Sequence, residues 1–325
     1  MRKKSTKYAS MTKLQYFRYK YLSSKFVVQS LWALFRTFLL VGISFIIFYP
    51  FFLQITTSLM TEADILDKTV LLIPKGLSLG NYRLVISETG YWQAFINNFT
   101  MSLLSGLLQS MVAVCVGYGL AKFKFRGRGL ILAAVVFVLM VPPSVVLTPL
   151  YLQFHNFDIF GIFKLILGNP IKTTDTFWPM LILSSTGLAV KNGLFIFVMR
   201  QSFMGLPDEL LEAAYIDGSG VYRTFAKIIL PLCTSQIVTI FLLAFSWMWT
   251  DSFYSTIFYP NLKFLPNIIT IVNSKYTAWV TQANEYSLQV FMNVGLLLII
   301  IPLVIMYLFV QRFITQGIER SGLTG

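Results

Sequence analysis

In this chain of 325 residues, 56% of positions are hydrophobic and only 12% are charged, about half the charge of an ordinary soluble domain. The apolar residues arrive as long runs, and the mean hydropathy of +0.70 points to a membrane protein rather than to two soluble domains. A net charge of +13 would suggest nucleic acid for a soluble protein; here the Lys and Arg residues flank apolar runs, as the positive-inside rule requires, so no nucleic-acid partner is expected.

Residues 1–30 hold eight Lys/Arg and no acid and are expected to form a basic cytoplasmic segment. The apolar run that follows is long enough to span, so it is expected to be retained as a helix rather than removed as a signal peptide. Six segments have the length and apolarity of spans: 31–54, 95–121, 129–151, 177–199, 228–250 and 287–311. Pro50, Pro142, Pro143 and Pro302 fall within them, and membrane helices tolerate proline better than soluble ones do. With both ends inside, the cytoplasmic segments 1–30, 122–128, 200–227 and 312–325 carry 17 Lys/Arg, and the external segments carry 7. That asymmetry orients the six-span domain, 31–311, with a cytoplasmic tail at 312–325. Cys115 and Cys233 both lie in spans and His155 stands alone, so neither a disulfide nor a metal site is expected.

The loop 200–227 carries the most information. Pro207, Asp208 and Glu209 read as a helix start, with proline in the first turn and early acids complementing the helix dipole. Gly218 reads as a left-handed stop. A second helix from about Val221 is expected to run past Pro231 into the fifth span. Ala213 and Ala214 leave part of the first helix nearly bare, and Leu210 and Leu211 offer apolar contact. These features suit docking by another protein, and they suit an ordinary surface helix equally.

The residues Glu212-Ala213-Ala214, then Gly218, Ile228 and Leu230-Pro231 resemble, in type and spacing, the EAA signature of binding-protein-dependent ABC importer permeases. Weaker segments in the same order extend the resemblance over nearly the whole chain, towards the maltose/multiple-sugar group: Tyr49-Pro50, Leu79-Gly80-Asn81-Tyr82, Gly117–Phe125, Thr148–Tyr151 and Gln311–Phe313. The long basic N-terminal segment and Lys191 depart from the family's pattern. The resemblance implies an all-α polytopic membrane protein with the type I importer (MetI-like) fold, six spans and both termini cytoplasmic, in a bacterial cell membrane. It also implies a coupling helix at Leu210, Glu212, Ala213, Ala214, Asp217 and Gly218 that inserts into a cytoplasmic ATPase. The implied partners are two ATPase subunits, a second permease subunit (a heterodimer is expected), an extracytoplasmic solute-binding protein, the lipid bilayer and a carbohydrate substrate. No G-x-x-x-x-G-K-[ST] occurs, so ATP-Mg is expected on the partner, with no cofactor or catalytic site on this chain.

For the substrate path, Lys191 and Asn192 of the fourth span, Ser246 and Trp247 of the fifth and Asn293 of the sixth supply amide, hydroxyl, cationic and aromatic groups of the kind that bind sugars. A lysine in mid-membrane needs a partner or water. It either lines the path or marks a span that starts later than drawn. An interfacial belt is the alternative for the tryptophan. An importer of a non-sugar solute, an ion-driven secondary transporter and a non-transporting scaffold are the rival functions. The secondary transporter would want intramembrane carboxylates and an internal repeat, and the spans show neither.

Overall fold

The computed structural model describes the chain from Ser24 to Gly322, apart from residues 68, 71 and 281–283. The expectation for most of the basic N-terminal segment therefore lies outside the described residues. Among those residues the protein is helical, with one isolated antiparallel bridge between Phe157 and Ile171.

Three helices are long and apolar enough to cross a membrane unbroken: α1 (Ser24–Ser58), α2 (Tyr91–Lys122) and the last helix, which runs from Glu285 to Gly322. The other three expected spans are not straight. Span 129–151 is two helices, α3 (Arg128–Met140) and α4 (Pro143–His155), bent by 100°. Pro142 and Pro143 cause the bend, since each lacks an N–H and pushes the residue before it out of helical geometry; Val141 is extended. Span 177–199 is likewise broken into α5 (Trp178–Thr186) and α6 (Asn192–Met204). Gly187 ends α5 at φ +80°, and Lys191 stands at φ +64° immediately before α6. The third correction concerns the run into span 228–250. After helix α7 (Glu209–Ile216) of the 200–227 loop, the Val221–Leu232 rod meets α8 (Thr234–Trp249) at 75°. A π turn at Phe225–Ile229 and Pro231, which cannot donate, unsettle the hydrogen-bond ladder there. The final helix, α9 (Glu285–Gly322), carries Pro302 without a break.

Helix α2 is the centre of the bundle, with α6 and α8 packed along it. Small residues permit the close approach. A Cβ on Gly117 would lie 2.8 Å from the Met199 Cβ of α6, and one on Gly106 would lie 3.3 Å from Phe241 and the Phe245 backbone of α8. By contrast, the apolar length of α1 leaves its sides uncovered. Its C-terminal end is tied down: the Asn293 amide donates to Thr57 Oγ1 at 2.8 Å, and Tyr82 and Ser58 share a 2.8 Å hydroxyl bond. At 35 residues and about 52 Å, α1 is longer than an apolar bilayer core.

Loops that charge alone assigns to one side do meet in space. Lys122 of the 122–128 loop bonds Asp208 of the 200–227 loop at 2.6 Å. At the opposite end, Asp175 accepts from the backbone and side chain of Asn261, each at 3.0 Å. Asn97 donates to Lys263 O at 3.0 Å. The long loops there share an aromatic core with Phe154, Tyr254, Phe258, Tyr259 and Phe264.

Candidate functional site

The residues expected to form the coupling helix lie on one short, displayed helix. Asp208 precedes α7, and Glu209 and Glu212 occupy its first turn, where carboxylates complement the helix dipole. The C-terminus closes as a Schellman motif. Ser219 N–H donates to Ala214 O (2.9 Å) and Gly218 N–H to Tyr215 O (3.0 Å), with Gly218 at φ +77°. A Cβ at Gly218 would meet no atom within 4 Å, so its need for glycine is conformational.

Helix α7 has two faces. Ala214 is buried, and Leu211 packs onto the cluster built by Tyr118, Phe203 and Ile229. The bare surface expected from two alanines is thus carried outward by Ala213 alone. Glu212, Asp217 and Gly218 are exposed with it, as are Leu210 and the larger Ile216 (85%) and Tyr222 (90%). Ile216 and Tyr222 were missed in the sequence because loop context gives no periodicity by which to place them on the outer face.

The loop is held from above by α2. Lys122 Nζ, its side chain only 7% exposed, donates to Leu206 O (2.8 Å) and to Asp208 Oδ1 (2.6 Å). Through that hydrogen bond and its charge, Lys122 holds the Asp208 carboxyl below its ordinary value. Arg200 Nε donates to Leu120 O at 3.3 Å, satisfying one of the open carbonyls at the end of α2.

Two of the residues expected in the substrate path are brought together. Lys191 and Trp247 line a cavity of about 170 Å³ with Gln109, Val190, Ala244, Met248 and Asp251. Lys191 Nζ lies 5.7 Å from the Trp247 ring centroid, within cation–π range. Trp247 stacks on Phe195 with centroids 5.6 Å apart. Asp251 follows α8 and accepts from Tyr254 N (3.1 Å) and Ser255 N (3.0 Å). Burial raises its carboxyl pKa, against these backbone bonds. Asn192 is fully buried beside Lys191, and neither of its amide atoms has a protein partner. Ser246, partly buried on α8, and Asn293 do not line this cavity; the Asn293 amide is engaged with Thr57. Gln109 and Asp251 escaped the sequence-based selection. The spacing of Asn98, Ser102, Ser105 and Gln109 places four polar side chains on one face of α2, a pattern that could have flagged Gln109.

A second, apolar cavity of about 350 Å³ sits at the α3–α4 bend, lined by Phe137, Leu139, Pro143, Leu150 and Leu188. Among the described residues no group of His, Cys, Asp and Glu could hold a metal ion.

Residues 113–320, from the middle of α2 to the end of α9, match the model of the binding-protein-dependent transport system inner membrane component. The chain belongs to this family. Similar proteins include the alpha-glucoside transport system permease AglG of Rhizobium meliloti, 28% identical over 78% of this chain and 62% of that protein. The arabinooligosaccharides transport system permease AraQ of Halalkalibacterium halodurans is 28% identical over 87% of this chain and 93% of its own length. The trehalose transport system permease SugB of Mycobacterium tuberculosis is 27% identical over 78% and 85%. Among solved structures, a chain of a bacterial ABC transporter involved in import of the acidic polysaccharide alginate superposes with a TM-score of 0.68, covering 88% of this chain and 97% of that one at 20% identity. This likeness establishes a shared fold. As an inner membrane component of a binding-protein-dependent system, the chain is a transport subunit, which sets aside the ion-driven and scaffold alternatives.

Proposed function

We propose that this inner membrane component is the permease subunit of an ATP-driven carbohydrate importer, taking oligosaccharides or polysaccharides from an extracytoplasmic solute-binding protein. The substrate class is drawn from the similar proteins, whose names specify alpha-glucosides, arabinooligosaccharides and trehalose. A second permease subunit, forming a heterodimer, would complete the path. Two cytoplasmic ATPase subunits would carry ATP-Mg, because this chain has no phosphate-binding loop.

The observation that carries the coupling role is the geometry of α7. Ala213, Glu212 and Gly218 stand on a displayed surface with Leu210, Ile216 and Tyr222, while Ala214 and Leu211 fix the helix to the bundle. An exposed apolar patch rimmed by Glu209, Glu212 and Asp217 is suited to a protein groove. Closure of the ATPase dimer then displaces α7, and the bundle rocks between inward- and outward-facing states. The charge asymmetry of the loops supports placing α7 and both termini in the cytoplasm.

Sugar would pass the cavity beside Lys191, with its C–H face on Trp247 and its hydroxyls on Lys191, Gln109 and Asp251. The ammonium 5.7 Å from the Trp247 ring, with Gln109 and Asp251 in the same lining, supports this placement. The test is uptake of labelled saccharides by cells lacking the gene, restored by the wild type. Replacing Trp247 by Ala should cut uptake about tenfold, the effect of a lost aromatic contact. It should leave ATPase subunit association intact. Undiminished uptake by Trp247→Ala would remove this residue from the path.

A further inference from the structure

We infer that Lys122 is a positioning residue for coupling, a strut that transmits displacement of α7 to helix α2. The inference rests on the coupling role of α7. Three features of the molecule converge on it. First, Lys122 is the last residue of α2, and its buried side chain reaches across to the start of the coupling helix, bonding both Leu206 O and Asp208 Oδ1. The cation stands at a helix C-terminus and the anion at a helix N-terminus, so both helix dipoles favour the contact. Second, the bonded segment is short: Asp208 immediately precedes α7, so movement of that helix pulls directly on the ammonium. Third, the end of α2 is itself rigid. The Tyr118 ring contacts Phe123, Phe203 and Phe225 at centroid distances of 5.5, 5.4 and 4.5 Å, and Arg200 holds Leu120 O. Gly117 abuts Met199 with no room for a side chain. A pull at Lys122 therefore moves α2 as a body. Thirteen residues back along the same helix, about 20 Å away, Gln109 lines the cavity with Lys191 and Trp247. One helix thus joins the motor contact to the path.

The bond to a backbone carbonyl requires a donor and the bond to Asp208 a cation, so Lys122→Arg should preserve function and Lys122→Met should not. Asp208→Asn keeps the Leu206 bond and should have an intermediate effect. The experiment uses the complete importer with its ATPase and binding proteins in proteoliposomes, measuring sugar transported per ATP hydrolysed. Lys122→Met is expected to lower that ratio about tenfold, the equivalent of one charge-assisted hydrogen bond, while binding-protein-stimulated ATP hydrolysis per assembled complex persists. A purely structural lysine would lower uptake and hydrolysis together, in proportion to assembled complex, and that result would overturn the inference. So would an unchanged ratio. If Lys122→Met fails to assemble, the ratio in Asp208→Asn and Lys122→Arg decides by the same criterion. Insertion of a bulky residue at Ala213, run in parallel, separates the two levels: if that variant also couples normally, the role of α7 is what fails.

Discussion

Gly218 and Lys191 are both left-handed, but only one of them is a glycine. At Gly218 the backbone closes a Schellman motif, and no neighbour restricts the volume. Gly218→Val is therefore expected to distort the end of α7 through backbone strain alone, about 1–2 kcal/mol or more for a β-branched residue. Uptake should fall while ATP hydrolysis continues. Gly218→Asn, which tolerates this conformation, should retain most uptake; equal losses in the two variants would show that side-chain volume matters there instead. Lys191 adopts the same region at the α5–α6 break, and backbone strain of this kind collects at functional sites. Lys191→Gly should relieve the strain yet reduce sugar uptake, because the ammonium over Trp247 is lost. Unchanged uptake in that variant, with a higher Tm, would make Lys191 purely structural.

At the scale of elements, the tight α2–α6 and α2–α8 contacts depend on glycine. Gly117→Leu forces a side chain into Met199 and should destabilise the bundle by about 1–3 kcal/mol through overpacking, seen as a lower Tm in detergent. Gly119→Ala, facing open space on the same helix, should leave Tm unchanged. The continuous helices α1, α2 and α9 were legible because length and apolarity report directly on spanning. The bends were not. Hydropathy over 129–151 and 228–250 stays high through Pro142-Pro143 and Pro231, and whether a proline kinks a membrane helix depends on what repairs the freed carbonyls. Pro302 shows the opposite outcome inside α9. The α5–α6 break was not read either: Lys191 raised only a later start for the span, whereas the helix stops at Gly187 and restarts at Asn192. The start and stop of α7 could be read from Pro207, Asp208 and Glu209 and from Gly218, because helix-end chemistry is local. Which alanine faces outward could not, since that depends on the core against which α7 lies.

For the whole molecule, loop charges and tertiary contacts agree on two ends: the Lys122–Asp208 end and the Asp175–Asn261 end. The grouping of loops into two ends was legible because the positive-inside rule acts on composition, and placing the Lys122–Asp208 end in the cytoplasm belongs to the proposed function. The cavity was only half legible, since Gln109, Lys191 and the Trp247–Asp251 pair come from three separate segments. The central claim is that ATP hydrolysed by partner subunits drives saccharide inward through this chain. Saccharide accumulation in proteoliposomes carrying the complete importer tests it most directly. Labelled gluco- or arabino-oligosaccharide should accumulate only with ATP, the ATPase subunits and the binding protein present, and not with an ion gradient alone. Accumulation of amino acids or peptides in place of saccharide, or uptake driven by an ion gradient without ATP, would contradict it.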